Sequence, residues 1–209
     1  MTSPLGSLTI GPREDGRRVT VARTTSETEI TITLGLDGSG HTSIDTGIGF
    51  YDHLLSSFAH HGLFDLAIAA DGDLQIDEHH TTEDVALVLG AAFTEALGDR
   101  AGIARFGNSS VPMDEAVATA VVDVGGRPYA VIDLPFRSER VGGLPLQLVE
   151  HALESFTRTS GCTLHLNGTG RNDHHLAEAA FKALGRALRV ACELDPRRVG
   201  VASTKGSLG

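Results

Sequence analysis

Two kinds of hydrophobic pattern alternate along the chain, and together they predict a protein of mixed α and β structure. Apolar residues occupy every second position from residue 30 to residue 36, a period that predicts a half-buried strand. Strands are predicted in the first half at residues 18–23, 29–36, 41–45 and 63–70. Helical spacing of apolar residues predicts helices at residues 50–61 and 82–97, with Gly98 capping the second.

The second half of the chain repeats this order of elements. Its predicted strands are residues 102–109, 115–124, 127–134 and 162–166. A helix is predicted at residues 146–160, and another follows from Asp173. The halves also match in sequence, since residues 52–58 (DHLLSSF) parallel residues 150–156 (EHALESF). We therefore interpret the chain as a tandem duplication of one unit and not as a short-period repeat.

The predicted fold class is α+β. Each half has the order β-β-β-α-β-α, and four helices packed against two mixed sheets would bury the apolar faces of both layers. Within one compact domain we expect a loose N-terminal leader, a first half, a second half and a C-terminal substrate-binding tail, at residues 1–17, 18–98, 99–195 and 196–209.

Composition and charge narrow the class of function. The 209 residues carry a formal net charge of −10, which argues against non-specific binding to nucleic acid or to an anionic membrane. No apolar run approaches the ~20 residues of a transmembrane helix, and no signal peptide is evident. Cys162 and Cys192 lie alone in the sequence, which favours two reduced thiols in a cytoplasmic protein.

A paired histidine followed by a glutamate occurs twice, and it is the strongest chemical signal in the sequence. The first copy is His79-His80-Thr81-Thr82-Glu83, and the second is His174-His175-Leu176-Ala177-Glu178. On a helix, residues three or four apart share a face, whereas adjacent residues diverge by about 100°. The two histidines of each pair therefore suit two different metal ions better than one.

Two further histidines, each on its own predicted helix, complete a set of metal ligands. Shared between two ions, the set would give three histidines and one glutamate to each: His53, His79, His80, Glu83, His151, His174, His175 and Glu178. Imidazole and carboxylate without thiolate favour Mn, Fe, Co, Ni or Zn. His41, His60 and His165 lack this pattern and are predicted to be ordinary solvated or hydrogen-bonded side chains.

Cationic and hydroxyl side chains in flexible settings point to an anionic substrate. Arg127 follows two glycines, and Ser203 and Lys205 lie in the C-terminal tail. Arg105 lies in the segment IARFG at residues 103–107. Side chains of these types can hold a phosphate group.

Taken together, these motifs resemble those of the imidazoleglycerol-phosphate dehydratase family of histidine biosynthesis, in its monofunctional form. The resemblance rests on the two histidine-pair segments, residues 77–83 and 170–182, and extends from about residue 18 to residue 208. Other pieces similar to the family are residues 23–28, 50–53, 105–107, 112–115, 126–128 and 203–206. The chain departs from the family in the extra His60 and in Val201-Ala202, where a proline is more usual.

The resemblance implies a duplicated fold similar to the second domain of ribosomal protein S5. It also implies a homo-oligomer of 24 subunits, with two Mn²⁺ ions per active site and active sites between neighbouring subunits. The eight ligands named above would hold the ions, and Glu27, Glu83 and Glu178 would be the catalytic carboxylates. The residues expected to contact a small-molecule phosphate substrate are Glu27, His53, His61, His79, Arg105, Arg127, His174, Ser203 and Lys205.

The implied reaction is the dehydration of D-erythro-imidazoleglycerol phosphate to imidazoleacetol phosphate. A metal ion on the substrate's ring would favour the imidazolate, which can expel the hydroxyl group and give a diazafulvene-type intermediate. Loss of a carbon proton then gives an enol, which tautomerises to the ketone. Glu27 is one candidate for the general acid or base, and metal-bound water is the other.

Two other functions remain open at this level. A metal-storage or metal-sensing protein would explain the histidines but not Arg105, Arg127 and Lys205. A metal-dependent hydrolase would use the same ligands to activate water as a nucleophile.

Overall fold

The computed structural model describes residues 8–15 and 17–208, and the main elements follow the predicted order. The elements of the first half are β1 (Leu8–Ile10), β2 (Arg18–Thr24), β3 (Thr28–Gly35), β4 (Thr42–Asp45), α1 (Gly49–Gly62), β5 (Asp65–Gly72) and α2 (His79–Leu97). Those of the second half are β6 (Phe106–Met113), β7 (Ala116–Asp123), β8 (Tyr129–Asp133), β9 (Arg140–Val141), β10 (Leu144–Pro145), α3 (Gln147–Ser160), β11 (Thr163–Thr169) and α4 (Asp173–Cys192).

Each half builds a mixed sheet, and the two sheets have equivalent strand orders. The first has the order β1-β2-β3-β5-β4, with β4 parallel to β5 and the other neighbours antiparallel. The second has the order β6-β7-β11-β8, with β8 parallel to β11 and the other neighbours antiparallel. The predicted α+β fold of two β-β-β-α-β-α halves is confirmed.

A hydrophobic core lies between the sheets and the helices and includes residues of both halves. Ile30, Ile32 and Leu34 of β3 are buried, whereas Glu29 and Thr31, at alternate positions of the strand, are exposed, as a period of two requires. Aromatic rings then join the helices, with centroids 6.0 Å apart for Phe58 and Phe93 and 5.4 Å apart for Phe93 and Phe156. These rings come from α1, α2 and α3 and therefore tie the halves together.

The helices pack across the duplication. α1 of the first half lies against α4 of the second, and α2 lies against α3. A glycine permits each close approach: a Cβ at Gly185 would lie 2.2 Å from the carbonyl oxygen of Phe58, and a Cβ at Gly90 would lie 2.5 Å from that of Phe156. The two helix pairs bring ligands from different halves together.

Several boundaries differ from those predicted. α2 begins at His79, three residues before the predicted start, and it ends as predicted where the Gly98 N–H donates to the carbonyl of Thr94 at 3.1 Å. β6 begins at Phe106, because Ala101 and Ile103 form isolated bridges to residues near the C-terminus. The hairpin β9–β10 was not predicted, since two-residue strands are too short to show a period.

The ends of the chain were predicted as a leader and a tail. Residues 1–7 and 16 of the predicted leader, and residue 209 of the tail, lie outside the described residues. The described part of the leader includes β1, which pairs with β2 at the edge of the first sheet. The boundaries of the halves and of the tail stay predictions. No helix within the described ranges is long and apolar enough to cross a membrane.

Candidate functional site

One cluster of candidate metal ligands joins α1 to α4. His53 Nε2 lies 2.9 Å from Glu178 Oε2, and His174 Nε2 lies 3.2 Å from the same oxygen. All three ligand atoms lie within 4.8 Å of one another. The ring of Phe50 packs on His174 with centroids 4.9 Å apart, which gives the cluster an apolar wall.

The carboxylate of Glu178 is buried and is surrounded by hydrogen-bond donors. Its other oxygen, Oε1, accepts a hydrogen bond from Lys182 Nζ at 2.7 Å. Burial opposes ionisation, but the hydrogen bonds from Lys182 and His53 outweigh it and lower the pKa of Glu178 to about 2. The group is therefore a carboxylate at neutral pH and can act as an anionic ligand.

The second cluster joins α2 to α3 and is looser. His79 Nε2 lies 3.8 Å from Glu83 Oε2, and His151 Nε2 lies 3.5 Å from Glu83 Oε1. The imidazole centroids of His79 and His151 are 4.8 Å apart. Arg158, also on α3, donates a hydrogen bond to Glu83 Oε1 at 3.2 Å. Each cluster thus contains two histidines, one glutamate and a neighbouring cation.

The donor atoms of both clusters fit a divalent metal ion. Each cluster offers two imidazole nitrogens and a carboxylate oxygen, a combination that transition metals bind and that soft thiolate sites lack. His151 Nε2 is buried and has no hydrogen-bond partner among the described residues. A buried polar atom without a partner is costly, and a metal ion would satisfy it.

His80 and His175 lie outside both clusters. Their rings stand at 84° and 90° to those of His79 and His174, and adjacent helix positions direct the two side chains of each pair about 100° apart around the helix axis. His80 Nδ1 lies 3.0 Å from Asp73 Oδ2, and this contact raises the pKa of His80. His175 Nδ1 lies 2.8 Å from Glu115 Oε2. The expected set of three histidines and one glutamate for each ion is therefore only partly assembled within one chain.

Arg105 makes three structural hydrogen bonds, which leaves two of the five N–H groups of its guanidinium free of these contacts. Its Nε and Nη2 donate to the two oxygens of Asp123 at 2.7 and 2.9 Å, and its Nη1 donates to the carbonyl of Ala202 at 2.6 Å. The hydrogen bonds to Asp123 raise the pKa of Arg105. Its backbone has a positive φ of 73°, which directs the chain into β6. Arg105 therefore anchors the C-terminal tail to the second sheet.

The other residues expected to hold phosphate lie on the surface. Arg127 and Lys205 are exposed, and neither forms an ion pair within residues 8–15 and 17–208. Ser203 Oγ accepts from the backbone N–H of Lys205 at 3.2 Å, which folds the tail into a turn. Ala202 joins this turn to Arg105, so three of the four expected residues share one region.

Glu27 lies beside His80, and His61 is influenced by the charges of Lys182 and Glu178. Glu27 lies in the turn between β2 and β3, where Thr25 Oγ1 accepts from the backbone N–H groups of Glu27 and Thr28 at 3.1 and 3.0 Å. Its carboxylate is half exposed and lies 3.9 Å from His80 Nδ1. Burial, followed by the charge of Lys182, lowers the pKa of His61, which favours the neutral imidazole.

The sequence interpretation did not assign four residues that contact the candidate ligands: Asp73, Glu115, Arg158 and Lys182. Lys182 could have been found, because it lies four residues after Glu178 on the same helix. Asp73, Glu115 and Arg158 approach their partners from other elements, so no local spacing in the sequence indicates them.

The duplicated α+β fold and its two histidine–glutamate clusters define a candidate metalloenzyme. Comparison with known sequences then identifies the family, because residues 46–188 match the sequence model of the family described as "Imidazoleglycerol-phosphate dehydratase". An enzyme of that name from Haloarcula marismortui is 54% identical over 92% of this chain and 98% of its own. One from Chloroflexus aggregans is 55% identical over 93% of this chain and 96% of its own.

Solved structures agree with the sequence comparison. The imidazoleglycerol-phosphate dehydratase of Staphylococcus aureus has a TM-score of 0.76 and 35% identity, covering 84% of this chain and 98% of its own. The Pyrococcus furiosus structure has a TM-score of 0.77 and 37% identity, covering 90% of this chain and 99% of its own. The chain belongs to the imidazoleglycerol-phosphate dehydratase family, and it is a hydro-lyase of histidine biosynthesis.

Proposed function

We propose that this hydro-lyase converts D-erythro-imidazoleglycerol phosphate into imidazoleacetol phosphate and water at two metal sites. The observation that carries the proposal is the pair of clusters, His53–His174–Glu178 and His79–Glu83–His151, each drawn from both halves of the chain. Two sites suit this substrate because its imidazole ring offers two nitrogen atoms.

The proposed cofactor is Mn²⁺, with two ions per active site. Support comes from the donor set, since imidazole and carboxylate without thiolate suit Mn²⁺ and its neighbours in the first transition row. When bound, the ions would act as Lewis acids on the ring nitrogens of the substrate and favour loss of a ring proton. Glu83 and Glu178 would serve the reaction by holding the ions.

We further propose that each ligand set is completed by a histidine from a neighbouring copy of the chain. His80 and His175 support this, because their side chains are 35% and 23% exposed and lie outside both clusters of their own chain. Active sites between subunits would require a homo-oligomer, and the expected assembly of 24 subunits meets that requirement. Metal loading and assembly would then be coupled.

The phosphate group is proposed to bind beside the C-terminal tail, through Arg105, Arg127, Ser203 and Lys205. The exposed side chains of Arg127 and Lys205, which form no ion pair with the described part of the chain, support this, since both are available to an anion. Arg105 has a second task in holding the carbonyl of Ala202, next to Ser203. Guanidinium donors and backbone turns of this kind suit phosphate oxygens.

In the proposed reaction, the substrate ring loses its N–H proton and becomes an imidazolate. Its electrons expel hydroxide from the adjacent carbon, giving a diazafulvene-type intermediate. Loss of the proton from the next carbon restores the ring and gives an enol, which tautomerises to the ketone. Hydroxide leaves as water with a proton equivalent to the one that the ring gave up, the proton lost from carbon is balanced by protonation of the ring nitrogen, and tautomerisation moves the enol O–H proton to carbon.

Glu27 is proposed to transfer the proton as general acid or base. Its support is a half-exposed carboxylate on a turn whose backbone is held by Thr25, beside His80. His53, His79 and His174 would lie against the substrate as well as the ions. The neutral ring of His61 can donate one hydrogen bond to the substrate and accept another.

The test is an assay for imidazoleacetol phosphate with metal-free protein, with added Mn²⁺, and with Mn²⁺ plus a chelator. The proposal expects product only in the second sample. Metal binding without turnover would favour a storage or sensing role, and release of inorganic phosphate would favour a hydrolase. Product formed at an equal rate in the presence of the chelator would overturn the metal assignment.

A further inference from the structure

His80 and His175 each bind a carboxylate through the same ring nitrogen. His80 Nδ1 lies 3.0 and 3.2 Å from the two oxygens of Asp73, and His175 Nδ1 lies 2.8 Å from Glu115 Oε2. An ionised carboxylate can only accept a hydrogen bond, so Nδ1 must carry the proton of each neutral ring. Nε2 is then left with its lone pair and has no hydrogen-bond partner among the described residues.

We infer that Asp73 and Glu115 are positioning residues, which hold His80 and His175 in the tautomer and orientation that present Nε2 to a metal ion. The inference rests on the proposed metal sites and assigns residues that support their outermost ligands. A carboxylate behind a metal-binding imidazole fixes the ring and increases its basicity, and its loss typically costs ~10–100-fold in metal affinity.

The internal duplication shows why two different carboxylates take this role. Glu115 lies in the turn between β6 and β7, and Glu27 lies in the equivalent turn between β2 and β3. Glu115 bonds directly to the second histidine of its half. Glu27 stands 3.9 Å from the corresponding His80, because Asp73 already occupies Nδ1.

Asp73 has no acidic counterpart in the second half. It follows β5, whereas the segment around the end of β11, residues 167–172, contains no acidic residue. The two halves therefore use different carboxylates to position the second histidine. In the second half the turn glutamate positions the histidine, and in the first half Asp73 does so and leaves Glu27 available to the substrate.

The two carboxylates should respond differently to replacement by an amide of the same shape. Glu115 Oε1 accepts from the backbone N–H groups of Arg171 and Asn172 at 3.1 and 2.8 Å. In Glu115→Gln the amide oxygen must stay with these two donors, so the NH₂ group faces His175 Nδ1. That nitrogen then has to accept, the ring proton moves to Nε2, and the metal ligand is lost.

Asp73→Asn should leave the tautomer of His80 unchanged. Both oxygens of Asp73 face His80, and its side chain bonds to no other described residue. The amide oxygen of asparagine can therefore turn to His80 Nδ1 and keep the proton there. Glu154→Gln, on the exposed face of α3, makes the same change of charge without touching a histidine and serves as the matched control.

The experiment measures the Mn²⁺ dissociation constant of the full-length chain by competition with a chelator. Glu115→Gln is expected to weaken binding ~10–100-fold, while Asp73→Asn and Glu154→Gln stay close to wild type. Glu115→Gln with wild-type affinity would overturn the inference. If wild type itself neither binds Mn²⁺ nor forms product, the proposed function fails instead, and the two failures are thereby distinguished.

A second comparison separates positioning from general loss of structure. Glu115→Gln is also measured in a His175→Ala background, with the melting temperature of each metal-free variant as a check on folding. If Glu115 acts through His175, the replacement has no further effect on Mn²⁺ affinity once the imidazole is gone. An equal loss of affinity in both backgrounds would contradict the inference, even if Glu115→Gln lowers stability.

Discussion

His53 on α1 and Glu178 on α4 meet at 2.9 Å although 125 positions separate them in the sequence. The contact joins the first half of the chain to the second, and the cluster of His79, Glu83 and His151 crosses between the halves in the opposite sense. Neither half alone contains a complete cluster. The packing of α1 against α4 and of α2 against α3 therefore assembles the two clusters from both halves of the chain.

Replacing either ligand carboxylate should remove metal and activity together. Glu178→Gln and Glu83→Gln keep the side-chain shape but remove the anionic oxygen that lies between two imidazoles. We expect each to lower Mn²⁺ affinity at least as much as the ~10–100-fold cost typical of losing a supporting residue. Elemental analysis after dialysis and a product assay check this, with Glu154→Gln as control. Full metal content and normal turnover in both variants would refute the ligand assignment.

Replacing Glu27 should slow the chemical step without changing the binding of metal. Its carboxylate lies 3.9 Å from His80 but makes no contact with either cluster's glutamate in the described residues. Glu27→Gln is expected to lower kcat by ~10²–10⁴-fold, the usual range for loss of a general acid or base, while Mn²⁺ content stays at the wild-type value. An unchanged kcat would remove Glu27 from proton transfer, and loss of metal would show that it acts as a ligand.

Replacing Arg105 should weaken substrate binding more than it slows the chemical step. Its planar guanidinium bonds both oxygens of Asp123 and the carbonyl of Ala202, a pattern that a lysine ammonium group does not reproduce. Arg105→Lys is expected to release the tail that carries Ser203 and Lys205 and to raise KM with a smaller change in kcat. Steady-state kinetics test this against Arg197→Lys, an exposed control. Equal KM values for the two variants would argue against the anchoring role.

The close helix contacts can be tested through stability. A Cβ at Gly90 would lie 2.9 Å or less from three atoms of α3, and one at Gly185 would overlap the carbonyl oxygen of Phe58. Gly90→Ala and Gly185→Ala should each destabilise the fold by ~1–3 kcal/mol, the usual cost of overpacking. Gly49→Ala, with no atom within 4 Å, should be neutral or slightly stabilising. Urea unfolding measures all three, and equal midpoints would contradict the packing account.

The fold was largely predictable because its signals are local. The period of two in β3, the helical spacing in α1 and the recurrence of the histidine pair are read from neighbouring residues, and the structure confirms the elements they predict. The tandem duplication could also be inferred, since both halves carry the same order of patterns.

The features that could not be predicted from the sequence depend on tertiary contacts. No spacing in the sequence indicates that His53 would meet Glu178, that Asp73 would bind His80, or that Arg105 would hold the tail. The pairing of helices from different halves depends on close packing at Gly90 and Gly185, and a single glycine within a helical pattern does not reveal which helix it will contact.

Mixing inactive chains tests most directly whether ligands from neighbouring chains complete the metal sites. His80→Ala, which damages the proposed intersubunit ligand, is mixed in the absence of metal with His151→Ala, and separately with His53→Ala, before Mn²⁺ is added. If a histidine from one chain completes a cluster on another, at least one mixture will contain intact sites and form imidazoleacetol phosphate, although each variant alone does not. No recovery in either mixture, with both chains present in the same particles by mass, would contradict the account.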